Sequence, residues 1–122
     1  VTEHIRKIRA VRNPDIVLKV KELVKQNFAE DIYLKDIARD MFYSPDYIGR
    51  LFKESMGVSF NEYVTMKRIE HAKELLLSTD DKISNICKKV GFKNIDYFTK
   101  QFKKFEGVTP GEFRNQYILG GK

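Results

Sequence analysis

The stretch Lys88–Arg114, KKVGFKNIDYFTKQFKKFEGVTPGEFR, places six aromatic residues and six lysines within twenty-seven positions. It has a counterpart upstream, Arg39–Val64, RDMFYSPDYIGRLFKESMGVSFNEYV. Asp46-Tyr47 answers Asp96-Tyr97, Phe52-Lys53 answers Phe102-Lys103, Gly57-Val58 answers Gly107-Val108, and Glu62 answers Glu112. The offset is fifty throughout these pairs, but forty-nine from Ile37/Ile86 to Met41/Val90. One structural unit is used twice, and the second copy carries one extra residue in its turn.

Composition sets the class. A chain of 122 residues with 42% hydrophobic and 33% charged side chains is expected to fold as one soluble domain. Three prolines and seven glycines favour helices over a turn-rich β architecture. No apolar run approaches the ~18 residues of a membrane span, no signal peptide opens the chain, and a single cysteine, Cys87, fits a reducing cytoplasm. Because the first residue is Val1, the chain is expected to be a piece of a longer protein. Net charge is +6, with seven lysines and one acid between Lys82 and Lys104. Concentrated basicity suits nucleic acid; dispersed solubilising lysines are the plainer reading of charge alone.

The periodicity lays out helices in order. Residues 1–13, with Ile5, Ile8 and Val11 at spacing three, read as a helical arm or a connector to a domain outside the chain. Pro14-Asp15 signals a helix start, and Val17, Val20, Val24 and Phe28 share one face. Leu34, Ile37, Ala38 and Met41 mark a short helix. Ser44-Pro45 opens the next, with Ile48, Leu51 and Phe52 inward and Gly57 as its stop. Ser59–Leu77 reads as one long helix behind the capping box Ser59…Glu62. The pattern then repeats: Ile83, Ile86, Cys87 and Val90; a Gly91-Phe92 turn; Phe98, Phe102 and Phe105; a stop at Gly107; and a second capping box, Thr109…Glu112, opening a last helix to about Tyr117. The expected organisation is an arm (1–13), a tandem helix-turn-helix domain (14–117) and a frayed tail (118–122). Within that domain the first unit covers about 15–58, the linker helix 59–77 and the second unit 82–117.

A helix-turn-helix sets its second helix in the major groove, where base edges carry a readable pattern. The linker helix spans roughly 28 Å, close to the ~34 Å between successive major grooves. One chain is therefore expected to read an asymmetric site with both copies.

The motif Ile83…Ile86-Cys87…Val90-Gly91-Phe92, then Tyr97-Phe98, Phe102-Lys103, Gly107, Thr109-Pro110 and Arg114, resembles the AraC/XylS family of bacterial transcription regulators. The linker positions Arg68, Ala72, Leu75 and Leu76 match it too, and the likeness runs from about residue 15 to 116. The lysine-rich second unit is also similar to domains fused to response-regulator receivers. The resemblance implies an all-α fold of seven helices, with two helix-turn-helix subdomains joined by a long linker helix. It further implies promoter binding, usually activation, contact with RNA polymerase, and a sensing, receiver or dimerisation domain elsewhere in the protein.

It also places candidate base readers. Asp46, Tyr47, Gly49 and Arg50 fall on the groove side of the first recognition helix, and Ile95, Asp96, Thr99 and Lys100 on the second. Arg50 is the best reader, its fork matching guanine O6 and N7; Lys100 suits guanine and Ile95 a thymine methyl. Gly49 has no side chain to read with. Asp46 and Asp96 either accept from a cytosine amino group or serve the helix N-terminus, by capping it or compensating its dipole. Phosphate contacts are expected from Lys53, Lys103, Lys104 and Arg114 and from backbone N–H groups near Ser44 and Thr109; for any single lysine a solvated face is the alternative. Arg68 either buttresses the subdomains or touches DNA backbone. The phenylalanines read as core rather than as stacking platforms, Tyr97 as a DNA contact, and Cys87 as a small core residue. No nucleophile–base pair, phosphate loop, metal set or cofactor motif is present. An enzyme is therefore not expected, and a helical protein-interaction module is the competing reading.

Overall fold

The computed structural model describes the backbone of residues 2–120 and the side chains of residues 15–117. Among these residues the structure is all-α: α1 Thr2–Asn27, α2 Leu34–Asp40, α3 Pro45–Met56, α4 Phe60–Ser78, α5 Ile83–Lys89, α6 Ile95–Glu106 and α7 Pro110–Gly120. The chain divides into two compact units, Val1–Asn27 with Ile32–Tyr63, and Phe28–Asp31 with Val64–Lys122.

In the first unit, Val17, Val20 and Val24 on α1, Ile37 and Ala38 on α2, and Ile48, Leu51 and Phe52 on α3 are buried. Phe52 meets Phe60 and Tyr63 edge-on, with centroids 6.1 and 5.2 Å apart. Aromatic pairs in this geometry add to the area they bury. Helix α3 begins where the sequence predicts: Ser44 Oγ accepts from Tyr47 N at 3.1 Å. It ends at Gly57, whose φ of 78° lets its N–H close back on Lys53 O. One difference lies upstream. Helix α1 already runs from Thr2, so Pro14 sits within it rather than at its first turn. A proline lacks one N–H donor, and here the helix continues across that missing bond.

The second unit packs Ile69, Ala72 and Leu76 of α4 against Ile86, Cys87, Val90, Phe92, Phe98, Phe102 and Phe113. Phe98, Phe102 and Phe113 form an edge-to-face chain, 5.9 and 5.4 Å between successive centroids. Phe92, Phe98 and Phe102 of the lysine-rich stretch are thus core, as their spacing predicts, with Phe105 partly buried against them. Cys87 is buried among them, its Sγ 3.7 Å from Phe92 O. Burial raises its thiol pKa, partly opposed by Lys88.

The extra residue of the second copy can be placed. Tyr43 N donates to Ala38 O at 2.9 Å, and Phe92 N to Cys87 O at 3.0 Å, so these turns match at offset forty-nine. The N-caps, Ser44 and Asn94, match at fifty. Lys93 is therefore the additional residue. Its Nζ pairs with Asp31 Oδ2 at 3.1 Å.

The short segment Phe28–Asp31 belongs wholly to the second unit. Arg68 of α4 holds it, donating to Phe28 O at 2.6 Å and to Glu30 O at 2.9 Å. The Phe28 ring lies edge-on to His71, centroids 5.4 Å apart. Gly91, at φ 103°, is close against the segment: a Cβ there would meet Ala29 O at 2.9 Å.

Candidate nucleic-acid interface

Each recognition helix has an inner face fixed by burial, which leaves a definite outer face. On α3, burial of Ile48, Leu51 and Phe52 turns Asp46, Arg50 and Lys53 outward, all exposed. Tyr47 is half-buried, its ring tilted against Tyr43 at 5.4 Å. On α6, burial of Phe98 and Phe102 leaves Ile95, Asp96, Lys100, Lys103 and Lys104 exposed. Among the described residues, the side chains of Arg50, Lys53 and Lys100 have no hydrogen-bond or ion-pair partner. Unpaired cations on rigid helices are what groove and phosphate contacts require.

Three of the expected contact residues have partners within the chain. Gly49 lies close to α2: a Cβ there would lie 3.2 Å from Leu34 Cδ2, so a small residue lets the two helices approach. Its counterpart Thr99 is half-buried. Arg114 is bound within the chain. Its guanidinium donates to Leu76 O at 3.0 Å, Asp81 O at 2.7 Å and Thr79 O at 3.0 Å, closing the C-terminal end of α4. Thr109 is engaged on both sides, its N–H donating to Glu112 Oε1 at 2.9 Å and its Oγ1 accepting from Glu112 N at 3.2 Å. That carboxylate accepts the Thr109 N–H that the sequence offers to a phosphate. Glu112 is held below the usual carboxylate range, first by the Thr109 N–H, then by the side-chain bond, with Lys103 adding a smaller pull.

The aspartates are also clarified. Ser44 and Asn94 are the caps, Asn94 Oδ1 accepting from Tyr97 N at 3.0 Å. Asp46 and Asp96 are not caps but exposed acids in the first turn, where the helix dipole favours them. The Ser44 hydroxyl accepts from Tyr47 N as the cap of α3. Asn94 was not singled out from sequence, although it stands fifty residues after Ser44 and the repeat points to it. Tyr97 is 52% exposed beside Phe92, consistent with a surface role.

Among the described residues no group of three His, Cys, Asp or Glu side chains could hold a metal ion, and no helix is long and apolar enough to cross a membrane.

The comparisons with known proteins agree with this geometry. A family model described as a helix-turn-helix domain matches residues 37–116. The chain is 40% identical over 94 residues to YtdP of Bacillus subtilis, described as an HTH-type transcriptional regulator, covering 77% of the chain and 12% of that protein. It is 40% identical over 105 residues to the B. subtilis transcriptional regulatory protein YesN, covering 83% of the chain and 28% of YesN. The chain thus spans a minor part of the curated relatives it matches. Among solved structures, the C-terminal domain of AraT, a response regulator from Geobacillus stearothermophilus, has a TM-score of 0.77 at 37% identity, over 81% of this chain and 83% of that one. A Chromobacterium violaceum regulator with an AraC-type DNA-binding domain has a TM-score of 0.78 at 27% identity, over 84% and 92% of the two chains. The DNA-binding domain of AdpA, solved with a target DNA, shares the fold, with a TM-score of 0.80 at 18% identity over 85% and 94%.

Proposed function

Since the chain belongs to the AraC-type helix-turn-helix family of DNA-binding transcription regulators, we propose that it reads an asymmetric double-stranded promoter site with α3 and α6 in successive major grooves. Arg50 and Lys100 stand fifty residues apart in equivalent places, both exposed and unpartnered, and this pairing carries the reading. Arg50 reads guanine; Lys100 and Ile95 read a guanine and a thymine methyl. Asp46 and Asp96 tune the N-terminal ends of the two helices, and Tyr47 and Tyr97 flank them. Lys53, Lys103 and Lys104 supply sequence-independent attraction to phosphate.

On the same reading the chain is the DNA-binding part of a longer, cytoplasmic regulator that is not an enzyme. A sensing, receiver or dimerisation domain governs it, and it activates transcription through contact with RNA polymerase. The likeness to response-regulator domains supports a receiver as that partner.

Selection from random duplexes tests the core of the proposal. A recovered site spanning two major-groove segments, with log K falling steeply against log salt, is the expected result. A site of one segment confines reading to one copy. A flat salt response favours a protein-interaction module instead.

A further inference from the structure

The two copies differ in the charge carried by the first helix of each pair. In a helix-turn-helix this helix crosses the phosphate backbone while the second enters the groove. Helices α2 and α5 match at offset forty-nine, which sets Arg39 against Lys88, Asp36 against Asn85 and Asp40 against Lys89. Ile37 and Ala38 on α2, and Ile86 and Cys87 on α5, are buried. Arg39 and Lys88 follow them at the same place, and both are exposed.

A cation near a helix C-terminus serves the dipole in both copies. Screening separates them. Arg39 reaches Asp36 at 3.4 Å and Asp40 at 3.6 Å, and with Lys35 the whole of α2 carries no net charge. Helix α5 contains no acid: an amide and a second lysine stand where α2 has its two carboxylates. Lys89 pairs with Asp81. Among the described residues, the Lys88 side chain has no hydrogen-bond or ion-pair partner.

The contrast extends over each pair of helices. Residues 34–57 hold four cations and four acids, residues 83–107 six cations and two acids. Counting the groups that reach in from outside, Asp31 on Lys93, Asp81 on Lys89 and Lys73 on Glu106, the second copy still carries +3. A phosphate responds to all the charge within a Debye length of ~8–10 Å. It meets an uncancelled cation on α5 and a cancelled one on α2.

We propose that Lys88 contacts a DNA phosphate, and that α5 thereby gives the second copy a sequence-independent grip on the duplex that α2 does not give the first. This rests on the reading of the chain as a duplex-binding regulator, and divides the labour within it. The second copy captures DNA of any sequence, and the electrically neutral first copy contributes discrimination with little capture of its own.

The test uses the whole chain with two labelled duplexes, one carrying its selected site and one of scrambled sequence, titrated over a salt series. Lys88→Gln is expected to weaken both duplexes by the same factor, on the order of tenfold at about 0.1 M salt, and to lower the slope of log K against log salt by about one. The melting temperature should not move. Lys88→Arg should keep the wild-type slope, and Arg39→Gln, the same change at the matching place, should leave it near wild type. An unchanged slope with Lys88→Gln overturns the proposal, as does an equal loss with Arg39→Gln. A loss confined to the selected duplex assigns Lys88 to base edges and overturns it too. If the wild type binds neither duplex, the promoter-binding reading itself fails, and the Lys88 assignment with it.

Discussion

Arg68 Nε lies 2.6 Å from the carbonyl oxygen of Phe28, forty residues away in sequence, and Nη2 of the same side chain reaches Glu30 O at 2.9 Å. One guanidinium thereby satisfies two carbonyls of a segment with no secondary structure of its own. Arg68→Ala is expected to destabilise the protein by about 2 kcal/mol, since hydrogen bonds from charged donors contribute about 1.5–3 kcal/mol and the carbonyls lose their partners. Arg68→Lys should recover only part, because an ammonium lacks the planar fork. Urea denaturation measures both; a lysine variant as stable as wild type would assign the contact to charge alone.

Arg50 and Arg114 should behave oppositely. Arg50 is exposed on α3, so Arg50→Ala should leave the melting temperature unchanged, weaken specific duplex binding by about 1–3 kcal/mol and relax preference at one base pair. Arg114→Ala removes donors from three carbonyls at the end of α4 and should lower stability by about 2–3 kcal/mol. Paired denaturation and binding curves would expose a reversal of these roles.

Lys103→Ala should weaken binding to all duplexes about equally and reduce the slope of log K against log salt by about one. A loss confined to some sequences would mean that Lys103 touches base edges.

The two turns offer opposite responses to a change at equivalent positions. Gly91→Ala meets both a φ of 103° and the Ala29 carbonyl, and should cost about 2–3 kcal/mol. Phe42→Gly relieves a left-handed phenylalanine and should stabilise by about 0.5–1 kcal/mol, since the left-handed penalty of about 1–2 kcal/mol exceeds the entropic cost of glycine. Equilibrium unfolding reads the signs directly.

Glu112 ties stability to acid pH. Its folded pKa lies below the ordinary 4.5 because Thr109 donates to the carboxylate. Its contribution is therefore complete above that ordinary value and fades as pH falls through the lower, folded one. Glu112→Gln should flatten the acid limb of a stability–pH curve while leaving the neutral region nearly parallel. An unchanged acid limb would remove the carboxylate from the capping interaction.

The helices and their order were legible because burial follows period: Ile48, Leu51 and Phe52, and again Phe98 and Phe102, face inward as their spacing requires. The change of offset from fifty to forty-nine located the extra turn residue to within a few positions, and two backbone bonds then identified Lys93. Arg114, a cation in a basic, motif-bearing segment, reads in sequence as a phosphate ligand, and its contacts within the chain were not legible there. Its partners lie 33–38 residues away in sequence, beyond any local pattern. The contact of Gly49 was hidden for a related reason, since helical angle alone does not reveal which neighbour, here Leu34, approaches that side. Phe42 drew no notice because a left-handed backbone at a non-glycine residue leaves no trace in composition.

The assignment of Phe28–Asp31 to the second unit, between two stretches of the first, bears on modularity. The polypeptide crosses between units three times, so neither unit is one contiguous length of chain. Truncation within α4 would leave this segment on the wrong fragment: a C-terminal half beginning at Val64 would keep Arg68 and Gly91 but lose the peptide they hold. Swapping DNA-reading halves between relatives therefore requires exchanging residues 28–31 together with everything after residue 63. Inheritance of the second unit as a single uninterrupted cassette would strand its own clasp.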